Sequence, residues 1–175
     1  MKAVFKGLEA LPEKRYLAIG IMMPWEDNLG IQFGFWREAS ENGTIAQLKE
    51  RCGSEEVVGI FCYRCDMAEK TFSYHIACEN KNGISPGPFE PLVLKPLTYA
   101  RFEGGCEAQE DGHAAYEQVC DAFWGCWLPA SGCVSLIEPD TGGCEPGYAA
   151  IERFAPEIPL AACHMEIRFP VSQGQ

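Results

Sequence analysis

At 175 residues, with 47% hydrophobic and 22% charged side chains, the chain can bury a substantial core and does not have the composition of a disordered protein. Its 14 Lys and Arg stand against 25 Asp and Glu, and the resulting charge of −11 repels phosphate backbones and anionic lipids, so direct nucleic-acid and membrane binding are not expected. No apolar run approaches the roughly 20 residues of a spanning helix, and the opening MKAVFKGLEALPEKRY lacks a secretory apolar stretch, which makes a cytoplasmic location the expectation.

In chain order, RYLAIGIMM (15–23) reads as a strand. LGIQFGFWREASENG then places Leu29, Phe33 and Trp36 at helical spacing, with Gly43 at the helix end. Thr44 and Gln47 have the spacing of a capping box that restarts a short helix, TIAQLKERC, closed by Gly53. VVGIFCYRC (57–65) and TFSYHIACE (71–79) read as strands, and ENKNGISPGPFEP (79–91) as a linker. Beyond the linker the order repeats. LVLKPLTYARFEG (92–104) reads as one strand in which Pro96 requires an edge or a bulge. HAAYEQVCDAFWGCWL (113–128) is a helix with Tyr116, Val119, Cys120, Phe123 and Trp127 on one stripe, stopped by Pro129. YAAIERFAP (148–156) and CHMEIRFPV (163–171) close the chain as strands.

Two β-α-β-β units, about 1–80 and about 90–171, joined by a linker over 80–91, predict a single α+β domain spanning 1–175. Its antiparallel sheet carries helices on it, and a ligand groove is expected at the seam between the halves. The ten cysteines read as reduced thiols serving as small apolar residues. Cys62 and Cys65 have metal-type spacing, but alternation along a regular strand sends their side chains to opposite faces. His75 and His164 have no carboxylate or Cys partner in register. No metal and no cofactor is therefore expected.

Three stretches carry a family resemblance. FWGCWLPASGC (123–133) resembles the tryptophan-rich helix end and following W-L-P-x-S-G of GyrI-like domains, CHMEIRFPV their closing strand, and PLTYARFEG the strand that opens their second half. The resemblance covers most of 90–171, and the first half agrees in pattern. It implies a duplicated β-α-β-β fold with a central groove, as in the effector-binding portion of AraC-type and MerR-type multidrug-responsive regulators, here in free-standing form without a helix-turn-helix module. It also implies a bulky, often cationic, aromatic ligand held by stacked rings and an acidic residue.

Within that frame, Glu166 is the expected acidic residue. Alternation in CHMEIRFPV sets Cys163, Met165, Ile167 and Phe169 on one face and His164, Glu166 and Arg168 on the other. Phe33, Trp36, Trp124 and Trp127 are the expected flat walls, and Tyr63, Tyr74 and Tyr99 the amphipathic lining. The same positions serve equally as core aromatics or as a solvated Glu–Arg pair. Two alternatives accompany the binding module. One is a hydrolase of cyclopropane-bearing genotoxins in which Glu166 directs a water; the other is a modulator whose acidic surface meets a protein partner such as gyrase or a toxin.

Overall fold

Alternating apolar and polar residues build one antiparallel sheet, and the computed structural model describes residues 3–105, 112–138, 147–156 and 164–173 of it and its surroundings. The strands are β1 (Val4–Leu11), β2 (Lys14–Pro24), β3 (Val58–Asp66), β4 (Thr71–Glu79), β5 (Glu90–Leu94), β6 (Leu97–Gly105), β7 (Cys133–Ser135), β8 (Ala150–Ala155) and β9 (His164–Gln173). They lie in the order β1-β6-β9-β8-β3-β4-β2-β5, with β7 paired to β9. Each half supplies three adjacent strands, and β8 against β3 forms the seam between them.

The outer strands are exchanged between the halves. β1 leads into β2 yet pairs with β6, while β5 leads into β6 yet pairs with β2. The expected single strand over 92–104 is therefore two strands. Pro96 has no N–H for the ladder, so the break falls at Lys95 and Pro96, and the chain crosses there from one half to the other. β1 escaped the sequence reading because it is an edge with broken alternation: its register shifts between Phe5 and Gly7, and Gly7 takes φ 121.

The helices are α1 (Leu29–Glu41), α2 (Thr44–Cys52), α3 (Gly112–Asp121) and α4 (Leu128–Ser131), with a π-helical stretch, Ala122–Trp127, between the last two. Thr44 and Gln47 do not form the expected capping box. Asn42 takes that role, its Oδ1 accepting from Thr44 N at 3.0 Å and Thr44 Oγ1 at 2.6 Å. Nor does Pro129 stop the second-half helix. The π-helical stretch resets the hydrogen-bond register, and Pro129 falls in the first turn of α4, where its missing N–H costs nothing; Gly132 at φ 77 ends the helix instead.

One face of the sheet packs Leu17, Phe72, Tyr74, Phe102, Ile167 and Phe169 under the helices. The other face, on which none of the described helices packs and which is called the bare face below, has its own apolar cluster of strand residues, including Tyr16, Val58, Ile60, Leu92, Tyr99 and Ile151. β3 is not a regular strand. Its register against β4 shifts between Phe61 and Cys65, Cys62 takes φ 65, and the Cys62 and Cys65 sulfurs lie 3.7 Å apart, against the expectation that alternation separates them. Cys52, Cys62, Cys78, Cys120, Cys126 and Cys133 are free thiols, but Cys65 is disulfide-bonded, which corrects the reading of all cysteines as reduced. Cys163 lies outside the described residues. Among the described residues no helix is long and apolar enough to cross a membrane.

Candidate ligand site

The seam places a carboxylate inside the helix-side core. Alternation in β8 turns Ala150, Glu152 and Phe154 toward the helices, and Glu152 is 1% exposed. Its Oε1 accepts from Tyr74 Oη at 2.7 Å and from Gln32 Nε2 at 3.2 Å, and its Oε2 accepts from Tyr116 Oη. Trp36 Nε1 in turn donates to Tyr74 Oη at 2.8 Å. Tyr74 comes from β4, Tyr116 from α3, and Gln32 and Trp36 from α1, so three elements converge on a strand residue that no sequence neighbour satisfies.

Gly59 makes this convergence sterically feasible. It sits opposite Glu152 across the seam, and a Cβ there would lie 2.2 Å from Tyr74 Oη and 2.9 Å from Glu152 Oε1. Rings enclose the cluster. Trp36 meets Phe154 at 5.6 Å, Phe33 meets Tyr116 at 5.7 Å, and Phe35 and Phe61 each turn an edge to Tyr74. Burial pushes the Glu152 carboxyl up to about 7, although the hydrogen bonds from Tyr116 and Tyr74 favour its charged form. Burial, together with the charge and hydrogen bonds of Glu152, raises both tyrosine hydroxyls well above their ordinary value, so they stay donors. Among the described ion pairs none includes Glu152.

Of the residues expected from sequence, the fold brings Phe33, Trp36 and Tyr74 to this cluster and separates the rest. Glu166 lies on the bare face, where Arg168 Nη1 donates to its Oε1 while Arg101 and Arg153 stand 4.0 Å away. It is buried among guanidinium groups, not rings. Tyr63 and Tyr99 share that bare face, the first with its ring edge-on to His75. Trp124 and Trp127 are on the helix side but in a different stack, built on Phe102, Phe123 and Phe169. The sheet itself thus divides what the sequence suggested as one pocket.

The sequence reading names neither Glu152 nor Gln32, and places Tyr116 only on the apolar stripe of its helix. A usable signal exists: in AAIERFA a Glu falls on the same face as Ala150 and Phe154, and in α1 a Gln falls on the stripe of Phe33 and Trp36. A polar residue on an apolar face is the informative departure.

Residues 7–159 match the model of a family described as Cass2, integron-associated effector binding protein. Among solved structures, the chain is similar to SAV2435 bound to tetraphenylphosphonium, with a TM-score of 0.71 at 16% identity over 97% of this chain and 94% of that one. It is also similar to a protein from Staphylococcus aureus MU50 (TM-score 0.67, 17% identity, 98% and 99% of the two chains). The integron cassette protein VCH_CASS2 of Vibrio cholerae matches with a TM-score of 0.58 at 13% identity, over 98% of this chain and 100% of that one. At such identities the likeness is one of fold. None of the curated proteins matches this chain.

Proposed function

This chain belongs to the Cass2 family of integron-associated effector binding proteins, and from that premise we propose that its effector is a bulky lipophilic cation received at Glu152. GyrI-like domains of this kind bind small molecules. The observation that carries the finer reading is the Glu152 carboxylate, buried without a cationic partner among the described residues and surrounded by rings. A desolvated carboxylate strongly favours a countercharge. Aromatic faces add roughly 0.5–2 kcal/mol for a cation against them. The neighbour SAV2435, solved with tetraphenylphosphonium, supports the same ligand class.

Entry requires α1 to yield, because Gln32, Phe33 and Trp36 on its buried side cover the carboxylate. That helix is intrinsically weak. The side chain of its N-cap Asn28 makes no capping hydrogen bond, its first turn has no acidic residue, and Gly30 and Gly34 interrupt it.

Isothermal titration with tetraphenylphosphonium at pH 8 tests the reading. Wild type is expected to bind with a dissociation constant at or below the micromolar range, about −8 kcal/mol. Triphenylphosphine oxide, similar in shape but neutral, is expected to bind far more weakly, and Glu152→Gln to cost roughly 30-fold or more in cation affinity. Equal affinity of wild type and Glu152→Gln would sink the proposal.

A second reading is favoured by one feature of the same site: a carboxyl near neutrality with two tyrosine hydroxyls as donors is suited to general-base hydrolysis of a strained ring. Multiple turnovers of a cyclopropane-bearing alkylator, lost in Glu152→Gln, would support it. Consumption of one equivalent by both proteins leaves binding alone.

A further inference from the structure

We propose that the bare face forms a second binding site, for a small uncharged molecule with an apolar ring and one hydrogen-bond acceptor such as a carbonyl. The site is separate from Glu152 and does not rest on cation binding there. Its shape follows from chain connectivity. β1 is first and β2 seventh in the strand order, about 29 Å apart in a flat sheet. Yet only Pro12 and Glu13 join them, and Leu11 to Lys14 is three Cα steps, at most about 11 Å. β6 is second and β5 eighth, and they too are joined by Lys95 and Pro96 alone. The sheet therefore curls until its two ends meet. The bare face is the inner one: Tyr16 and Leu92 from one end and Tyr99 from the other share one apolar cluster there, each 4% exposed or less, with no described helix over them. A strand layer curled in this way encloses a lumen, and the mouths of such barrels are places where ligands lodge.

A cavity of about 290 Å³ opens on this inner face, with Tyr16, Val58, Ala77 and Ile151 as its floor. That is more than the roughly 150 Å³ that holds benzene, and it suits one substituted ring. Two observations give the ligand its chemistry. The first is Tyr16. Its hydroxyl forms no hydrogen bond among the described residues, and the charges that act on it, Glu79, Arg168 and Glu56, all line the cavity. Burial, then Glu79, raises the phenol well above its ordinary value, so its proton stays in place. An enclosed donor without an acceptor carries a cost that a bound carbonyl oxygen removes. The second is the rim, which is charged but already paired. Lys14 meets Glu79 at 3.5 Å, Arg168 meets Glu9 at 3.0 Å and Arg153 meets Glu56 at 3.0 Å. Lys81 is the remaining charge of the lining, and it is exposed, so water meets its demand. An ionic ligand would have to break one of these pairs or sit beside a like charge; a neutral one leaves all three intact. The apolar floor supplies the affinity, and the Tyr16 hydroxyl the orientation.

Backbone-amide chemical-shift mapping with three single-ring probes of similar size tests the assignment. Acetophenone, benzoate and benzylamine are each titrated into nitrogen-15-labelled protein at pH 7. Acetophenone is expected to give saturable shifts around Tyr16, Val58, Ala77 and Ile151, with benzoate and the protonated benzylamine at least about fivefold weaker there. Tyr16→Phe should weaken acetophenone about 2- to 10-fold, the effect of one hydrogen bond. Should Tyr16→Phe fail to fold, the wild-type titrations decide alone. The proposal is overturned by the absence of saturable shifts at these residues up to the solubility limit of acetophenone, by a charged probe that binds there as tightly as the ketone, or by ketone shifts confined to the surroundings of Gln32 and Glu152. A folded Tyr16→Phe protein that binds acetophenone as wild type does overturns it equally.

Discussion

Glu152 and Glu166 stand on neighbouring strands, one register step apart, and on opposite faces of the same sheet: Arg153 lies opposite Glu166, and Glu152 lies opposite Ile167. On the bare face Glu166 is held by Arg168, which also donates to Glu9 at 3.0 Å, and Arg153 meets Glu56 at 3.0 Å. That face carries a cavity of about 290 Å³ at the seam, floored by Tyr16, Val58, Ala77 and Ile151, whose rim charges largely neutralise one another. On the helix side Glu152 has only hydroxyl, amide and ring neighbours among the described residues. The difference lies in the counter-charge. A carboxylate paired with guanidinium ties strands together and has little left to offer a ligand. One that is buried with neutral donors retains an unmet demand for positive charge.

The largest effect should come from the position that lets the helix-side arrangement exist. Gly59→Ala puts a methyl 2.2 Å from Tyr74 Oη, with backbone and a fully buried ring unable to retreat. A loss of about 3 kcal/mol or more in chemical denaturation is expected, together with loss of cation binding. A Gly59→Ala protein as stable as wild type would mean that the Tyr74–Glu152 contact is not a fixed feature.

Thermal denaturation against pH sharpens the contrast next. The Glu152 carboxyl is raised from 4.5 to about 7, so between those values the folded state binds the extra proton and stability falls as pH rises; above 7 the deficit is constant. Gln does not titrate. Glu152→Gln should therefore gain on wild type by about 3 kcal/mol between pH 5 and pH 8, roughly 6–12 °C in Tm for a chain of this size. Glu166→Gln should instead lose about 1–3 kcal/mol across the same range, because of the two carboxylates described at Arg168 one is then gone and Glu9 remains. A Glu152→Gln advantage that does not grow with pH would place the carboxyl near its ordinary value and remove the electrostatic basis of the comparison.

Periodicity carried most of the architecture, since β2, α1, β4, β8 and β9 all have a face or stripe that only one packing satisfies. It failed where local chemistry overrode it. The β3 bulge, the edge strand β1 and the π-helical stretch each break a regular period, and no composition signal marks them. The site was harder to see for a different reason. Glu152 precedes Arg153 directly and Glu166 precedes Arg168 by two, both in alternating strands, and which face each takes depends on the apolar residues around it. Met165 and Ile167 flank Glu166 while themselves facing the helices, which sends Glu166 to the bare face; Ala150 and Phe154 share the helix face with Glu152. Reading residues two apart, instead of adjacent ones, separates the two carboxylates.

Ligand affinity against pH provides a finer test of the same contrast. A monocation at Glu152 requires the ionised carboxylate, so below about 7 binding must expel a proton, and affinity should fall by up to tenfold, about 1.4 kcal/mol, for each pH unit. Above that value the curve should flatten, because the carboxylate is already charged. Triphenylphosphine oxide carries no charge to be matched and should show no such break. Glu152→Gln should bind the cation weakly at every pH and lose the break as well, whereas Glu166→Gln should retain both the break and the plateau. A break that survives in Glu152→Gln would assign the titration to another group and leave the helix-side carboxylate a structural curiosity of the seam. A break that disappears only in Glu166→Gln would transfer the role to the bare face, where the arginines would then have to release their carboxylate before any cation could take it.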